Sequence, residues 1–342
     1  MKRNQKIDEI KGLAVLFVII GHCIQCCSGA SFYESESYFY YPLFELIYTF
    51  HMPLFAMISG FLFFYTVQKR NLKEVLLNRW NTLVIPIISW GTINYASKIF
   101  IKIEPIYLES AIKEYCWTIL STLWFLWAIL FCSCVISVCY YICPSQKPKN
   151  SLIVLSVFML FSLLITDRFN LGYAKFLFPF FAVGFYLNQY KVWEIVKVKL
   201  FINSKYCTLG LLAVYLFLFV LFNRETFIYT SGVCVIGKER IVGQLFNDVL
   251  RWVIGFAGIL LFVRIFSAID FHSAKLAKIG QESLGMYIVN GYMSHFFFEI
   301  SKEWATPSLW PIFLIPMLLI CYGGVVLLKI SPLRKILLGG RS

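Results

Sequence analysis

Asp8, Lys11 and His22 stand in a run, residues 7–22, that is otherwise almost wholly apolar. Imidazole takes up and releases protons near neutral pH, so a positioned histidine is the usual base for activating a hydroxyl group. The eleven steps from Lys11 to His22, at about 100° per residue, make close to three helical turns. Both side chains therefore share one stripe, with a rise of about 16 Å between them. Asp8 lies one turn before Lys11, where it orients or charge-balances the ammonium group. A histidine this deep in a hydrocarbon-length segment is costly to bury and marks a functional site. Its bland alternative is a histidine satisfied by a neighbouring backbone carbonyl.

A second set of polar groups lies in residues 50–61, Phe-His-Met-Pro-Leu-Phe-Ala-Met-Ile-Ser-Gly-Phe. Pro53 frees a backbone carbonyl and Gly60 allows another helix to approach closely. A segment bent at Pro53 and carrying His51 and Ser59 beside His22 would enclose a polar cavity. Ser59 alone reads more simply as a hydroxyl bonded to its own helix. Lys69, Arg70, Lys73 and Arg79 follow, and positive charge at the mouth of a helix bundle suits a phosphate-bearing ligand. Topological sorting accounts for the first three. Arg79, at the membrane boundary, is the ligand contact. His22, Cys23, Cys26 and Cys27 invite a metal reading, but cysteine in a membrane helix is a small apolar packing residue, so no metal site is expected. The eleven cysteines show no disulfide framework. Phosphate-cradling Gly-Lys-Ser/Thr loops and Gly-x-Ser-x-Gly elbows are absent.

The elements that must position these groups are membrane helices. Hydrophobic residues make up 59% of the 342 and charged residues 14%. Apolar runs near 10–27, 43–66, 80–97, 116–142, 151–166, 171–189, 206–222, 246–268, 284–298 and 307–328 predict an all-α polytopic bundle of about ten spans. With both termini cytoplasmic, 21 of the 31 Lys and Arg fall inside. That basic balance is an orientation signal, and its scatter over six segments excludes a nucleic-acid footprint. Asp8, Glu9 and Lys11 fit a cleavable signal poorly, so the first helix is retained. The longest loops, near 98–115 and 223–245, are too short for a second domain. One integral membrane domain, 1–342, is expected.

The first span resembles the opening motif of the acyltransferase 3 family, a basic residue followed by histidine after ten intervening positions, here Lys11 and His22 in an Asp8…Lys11-Gly12 context. Four further pieces agree in order: His51-Met52-Pro53-Leu54-Phe55 with Ser59-Gly60, Arg79 ahead of Pro86, Leu123-Trp124-Phe125-Leu126, and residues 280–287, Gly-Gln-Glu-Ser-Leu-Gly-Met-Tyr. Two positions depart from the family pattern. Asn81 and Thr82 stand where a second basic residue is usual, and Tyr287 is followed three residues later by Asn290 in place of histidine. Asn290 donates and accepts hydrogen bonds but is no base near neutral pH.

The resemblance implies an inner-membrane enzyme that moves an acyl group, most often acetyl, from acyl-CoA to a hydroxyl of a cell-envelope carbohydrate. No tightly bound cofactor is expected. His22 would be the general base and Asp8 its catalytic companion through Lys11. Lys11 and Arg79 would hold the CoA phosphates. His51, Ser59, Trp124, Tyr287 and Asn290 would contact substrate. The competing class is a polytopic transporter or a flippase for a lipid-linked sugar, which shares the helix count but lacks support from any internal repeat.

Overall fold

Hydrocarbon offers no partner to a backbone N–H or C=O, so apolar runs of this length must close their hydrogen bonds internally as helices. A computed structural model describes residues 4–29, 35–101, 108–142, 148–195, 204–236, 238–269, 272–301 and 303–340. Every regular element among them is helical. The basic start at 1–3, Ala30, part of the expected loop at 98–115 and the terminal Ser342 lie outside the described residues.

Helix α1, Gln5–Cys26, starts at Asn4, whose side chain accepts from the Ile7 N–H. The expected 43–66 span is divided into α2, Pro42–Tyr48, and α3, His51–Val67, because Phe50 leaves the helical conformation. Pro53 then falls in the first turn of α3, where a missing N–H leaves no helical bond unmade. It begins a helix rather than kinking one. Helix α4, Leu72–Arg79, carries a capping box between Asn71 and Glu74 and continues through a π-helical turn, Trp80–Val84, into α5, Ile85–Ile101. Pro86, just beyond this turn, has no N–H to give, and the Ile85 N–H reaches back five residues to the Trp80 carbonyl.

The expected 116–142 span is likewise broken, into α6, Leu108–Ser121, and α7, Trp124–Ile142. Leu123 sits between them at φ 53°, in the left-handed region that branched side chains rarely occupy. Its carbonyl accepts from Leu126 at 2.8 Å and from Trp127 at 3.5 Å, starting α7. Then come α8, Pro148–Leu163, α9, Leu171–Gln189, α10, Lys205–Leu221, the single turn α11, Ile228–Ser231, and α12, Ile241–Ala268. The chain ends with α13, Ala274–Gln281, α14, Ser283–Ser301, α15, Trp310–Ile330, and α16, Arg334–Leu338. By length and composition, four stretches among the described residues can cross a membrane: Pro42–Val67, Trp124–Tyr141, Ile241–Ala268 and Pro307–Ile330.

Two close contacts fix the centre of the bundle. A Cβ added at Gly60 of α3 would lie 1.9 Å from the Phe181 carbonyl oxygen of α9, and one at Gly184 would lie 2.0 Å from that of Met57. Backbone meets backbone there, as small residues permit in membrane bundles. Helix α13 docks on α1 in the same way, with Gly280 against the Asp8 carbonyl. The buried Glu9 carboxylate secures that docking by accepting from the Ser273 N–H at 2.8 Å, at the start of α13. The start of α14 is thereby set beside Lys11.

Candidate active site

Helix α1 delivers its two functional side chains to different cavities. Lys11 lines the first, of about 160 Å³, together with Arg79, Ser59, Thr66, Ser283 and Tyr287. The rest of its wall is apolar, mostly from α3 and α7, with Leu83 and Leu284. Asp8 Oδ1 lies 3.6 Å from Lys11 Nζ, the one-turn pairing expected from the sequence. The Arg79 guanidinium is held over the Phe63 ring, 4.4 Å from its centroid. Two cations from separate helices thus converge on one narrow apolar slot. Ser59 belongs to this cavity and not to that of His22.

His22, eleven residues along α1, lines a second cavity of about 300 Å³ with Trp124, Asn94, Tyr173, Tyr229 and Tyr287. Asn290 of α14 is fully buried beside His22 and stands outside the cavity lining, and neither of its amide atoms makes a hydrogen bond among the described residues. His51 is directed elsewhere. Its Nδ1 lies 2.8 Å from the Ile47 carbonyl, its ring meets Tyr48 edge-on, and it lines a void of about 20 Å³. Trp124 lines both that void and the His22 cavity. Cys23 and Cys27 are buried core residues, and Cys26 Sγ donates to the Ser294 carbonyl.

A third cavity of about 270 Å³ continues the second, sharing Ser121, Asn170, Tyr173 and Tyr229 with it. The segment carrying Tyr229 is pinned by a buried ionic cluster. Arg251 lies 3.4 Å from Asp248 and donates to the Gly232 carbonyl and to Ser231 Oγ. Gln244 bonds both Asp248 Oδ1 and the Gly232 carbonyl at 3.0 Å. From the other side Asp167, paired with Lys175 at 2.7 Å, accepts from the Val233 and Cys234 N–H groups. The sequence reading missed this cluster and the two tyrosines. Its available signal was Asp248-x-x-Arg251, an acid and a base one helical turn apart inside an apolar run, the same spacing as Asp8 and Lys11.

In chemical terms, a cationic slot and an imidazole cavity meet at one side chain, Tyr287, the only lining residue they share among the described residues. Such an arrangement can hold an anionic carrier on one side and a neutral, hydroxyl-bearing molecule on the other. Aromatic rings flanked by amides and hydroxyls, as on the His22 side, suit a sugar ring. A family model described as an acyltransferase domain matches residues 4–327. Nodulation protein NolL of Mesorhizobium japonicum is 25% identical over 307 residues, covering 84% of this chain and 76% of that protein. NolL of Sinorhizobium fredii is 28% identical over 128 residues, covering 37% of this chain and 34% of that protein. No solved structure matches the chain. With its apolar helices and a family model that spans nearly its whole length, the chain belongs to the acyltransferase 3 family.

Proposed function

We propose that the protein transfers an acetyl group from acetyl-CoA to a hydroxyl of a cell-envelope carbohydrate, in the inner membrane, with ten spans and both termini cytoplasmic. The observation that carries this reading is the meeting of the two cavities at Tyr287. Lys11 and Arg79 bind the CoA phosphates at the cytoplasmic end, where charge-assisted bonds to phosphate are strongest. The rise of about 16 Å along α1 from Lys11 to His22 suits the extended pantetheine arm, and the narrow apolar slot suits its width. The thioester then lies at Tyr287, and the acceptor enters from the opposite side through the aromatic cavities.

His22 is the general base. It takes the proton of the acceptor hydroxyl as the new C–O bond forms, and returns it to the CoA sulfur as the C–S bond breaks. Asn290, buried beside the imidazole with both amide atoms free of other hydrogen bonds, is the side chain placed to orient it as the substrate binds. Asp8 holds Lys11. His51 supports the bundle, since its Nδ1 is engaged with the Ile47 carbonyl.

The test uses purified protein in nanodiscs, acetyl-CoA and a de-O-acetylated envelope polysaccharide fraction. Release of free CoA thiol that depends on the polysaccharide, with new O-acetyl ester on it, is the expected result. A transporter would move its cargo without consuming acetyl-CoA, and that outcome would replace this reading.

A further inference from the structure

Thioester acyl transfer passes through a tetrahedral intermediate whose former carbonyl oxygen bears negative charge. In a site closed to bulk water that oxygen needs a preset hydrogen-bond donor. If donor and acceptor enter as described above, the acyl carbon lies where the two cavities meet, so the donor must be reachable from both. Of these two cavities, Ser59 and Lys11 line the basic slot alone, while Asn94 and Thr122 line the His22 cavity alone. Tyr287 lines both.

The side chain is 8% exposed and its ring packs edge-on against Phe125, with centroids 5.6 Å apart. Its hydroxyl accepts from the Phe125 N–H at 3.4 Å, which occupies a lone pair and leaves the phenolic proton to give. Phe125 is in the first turn of α7, behind the left-handed Leu123. The broken 116–142 span therefore has a chemical consequence. Without the break at Leu123, α7 would have no first turn at this depth, and the Phe125 N–H would be tied into a continuous helix.

We propose that the Tyr287 hydroxyl is a catalytic residue that donates the hydrogen bond stabilising the acyl oxyanion. This role rests on the acyl-CoA reading. As the acceptor oxygen bonds to the acyl carbon, its proton passes to His22 and the carbonyl π pair moves onto oxygen, where Tyr287 holds it. Collapse restores the C=O bond, expels the CoA thiolate and returns the His22 proton to sulfur. Tyr287 keeps its own proton throughout.

Tyr287→Phe removes one oxygen and keeps the ring contact with Phe125. Loss of a single oxyanion donor lowers kcat by roughly 10²–10³-fold. Affinity for a non-hydrolysable acetyl-CoA analogue and acceptor KM should stay within about twofold of wild type, because the hydroxyl binds neither ground state. The thermal midpoint should fall by no more than a few degrees, as the Phe125 N–H loses its acceptor. Installing 3-fluorotyrosine and 3,5-difluorotyrosine at position 287 keeps ring and hydroxyl while making the phenol a stronger donor. Turnover should then vary systematically with phenol acidity, which a packing tyrosine would not produce. A Phe variant with kcat within threefold of wild type, or a flat fluorotyrosine series, overturns the assignment. The fluorinated series decides if the Phe variant fails to fold. Wild-type protein that never acetylates the polysaccharide overturns the acyl-transfer reading, and this role with it. An active wild type beside an equally active Phe variant overturns this role alone.

Discussion

Arg251→Met should be among the most damaging single changes outside the two reacting cavities. Arg251 is 2% exposed and its partner Asp248 is fully buried. The substitution removes the ion pair and both bonds to the 231–232 backbone and side chain, and leaves Asp248 with Gln244 as its remaining hydrogen-bond partner. Breaking a buried pair from one side costs about 3–5 kcal/mol, because a charge is left buried without compensation. With an unfolding entropy of about 2.1 cal/mol/K per residue, a chain of 342 residues loses about 1.4 °C per kcal/mol. The thermal midpoint in detergent should therefore fall by about 4–7 °C. Asp248→Leu combined with Arg251→Met removes both charges and should recover at least half of that loss. The surviving Arg251→Met protein should show a raised acceptor KM and an unchanged affinity for the acetyl-CoA analogue. Tyr229 lines the second and third cavities and not the basic slot. A fall below 2 °C, or a double variant whose losses simply add, would refute the claim that the pair pins this wall.

Other consequences follow from particular contacts. Gly60→Ala would force a Cβ to within 1.9 Å of the Phe181 carbonyl and should reduce the yield of folded protein sharply in size-exclusion profiles, whereas Gly210→Ala, with nothing within 4 Å, should be neutral. Lys11→Glu and Arg79→Glu should each weaken binding of the acetyl-CoA analogue by roughly 10–100-fold in titrations, with little effect on acceptor affinity, since the lost partner is an anion. Equal binding by both charge-reversed proteins would leave topological sorting as the whole explanation of these cations. A reporter fused after Ser342 should behave as cytoplasmic, as the placement of 21 of the 31 Lys and Arg requires, and a signal from the other side would mean an odd number of spans.

The stripe on α1 was legible because helical geometry alone relates Lys11 to His22. That Lys11 and Arg79 converge was legible from charge at the membrane boundary. Two cavities in place of one were not, because the partition depends on Tyr287 and Phe125, and these come from helices remote in sequence. The breaks at Phe50 and Leu123 were also hidden. Neither residue is a glycine or proline, and a left-handed leucine is held by its surroundings rather than by local preference. Pro53 was visible, but whether a proline kinks a helix or starts one depends on where the preceding helix stops. Asp248 and Arg251 fall inside the expected span 246–268, and nothing local shows that the carbonyl of residue 232 will reach them. Asn290 was read as a substrate contact in place of a base. Its full burial, outside the lining of the His22 cavity, was not legible, because it depends on how α14 packs against α1.

The most direct test of the central claim compares wild type with His22→Ala in a single-turnover experiment with labelled acetyl-CoA and the de-O-acetylated polysaccharide. The two proteins should bind the non-hydrolysable analogue equally, because His22 lines the second cavity and not the basic slot. Transfer of label should be slower in His22→Ala by roughly 10²–10⁴-fold, the contribution of a positioned base. A folded His22→Ala protein that transfers label at the wild-type rate would contradict the account.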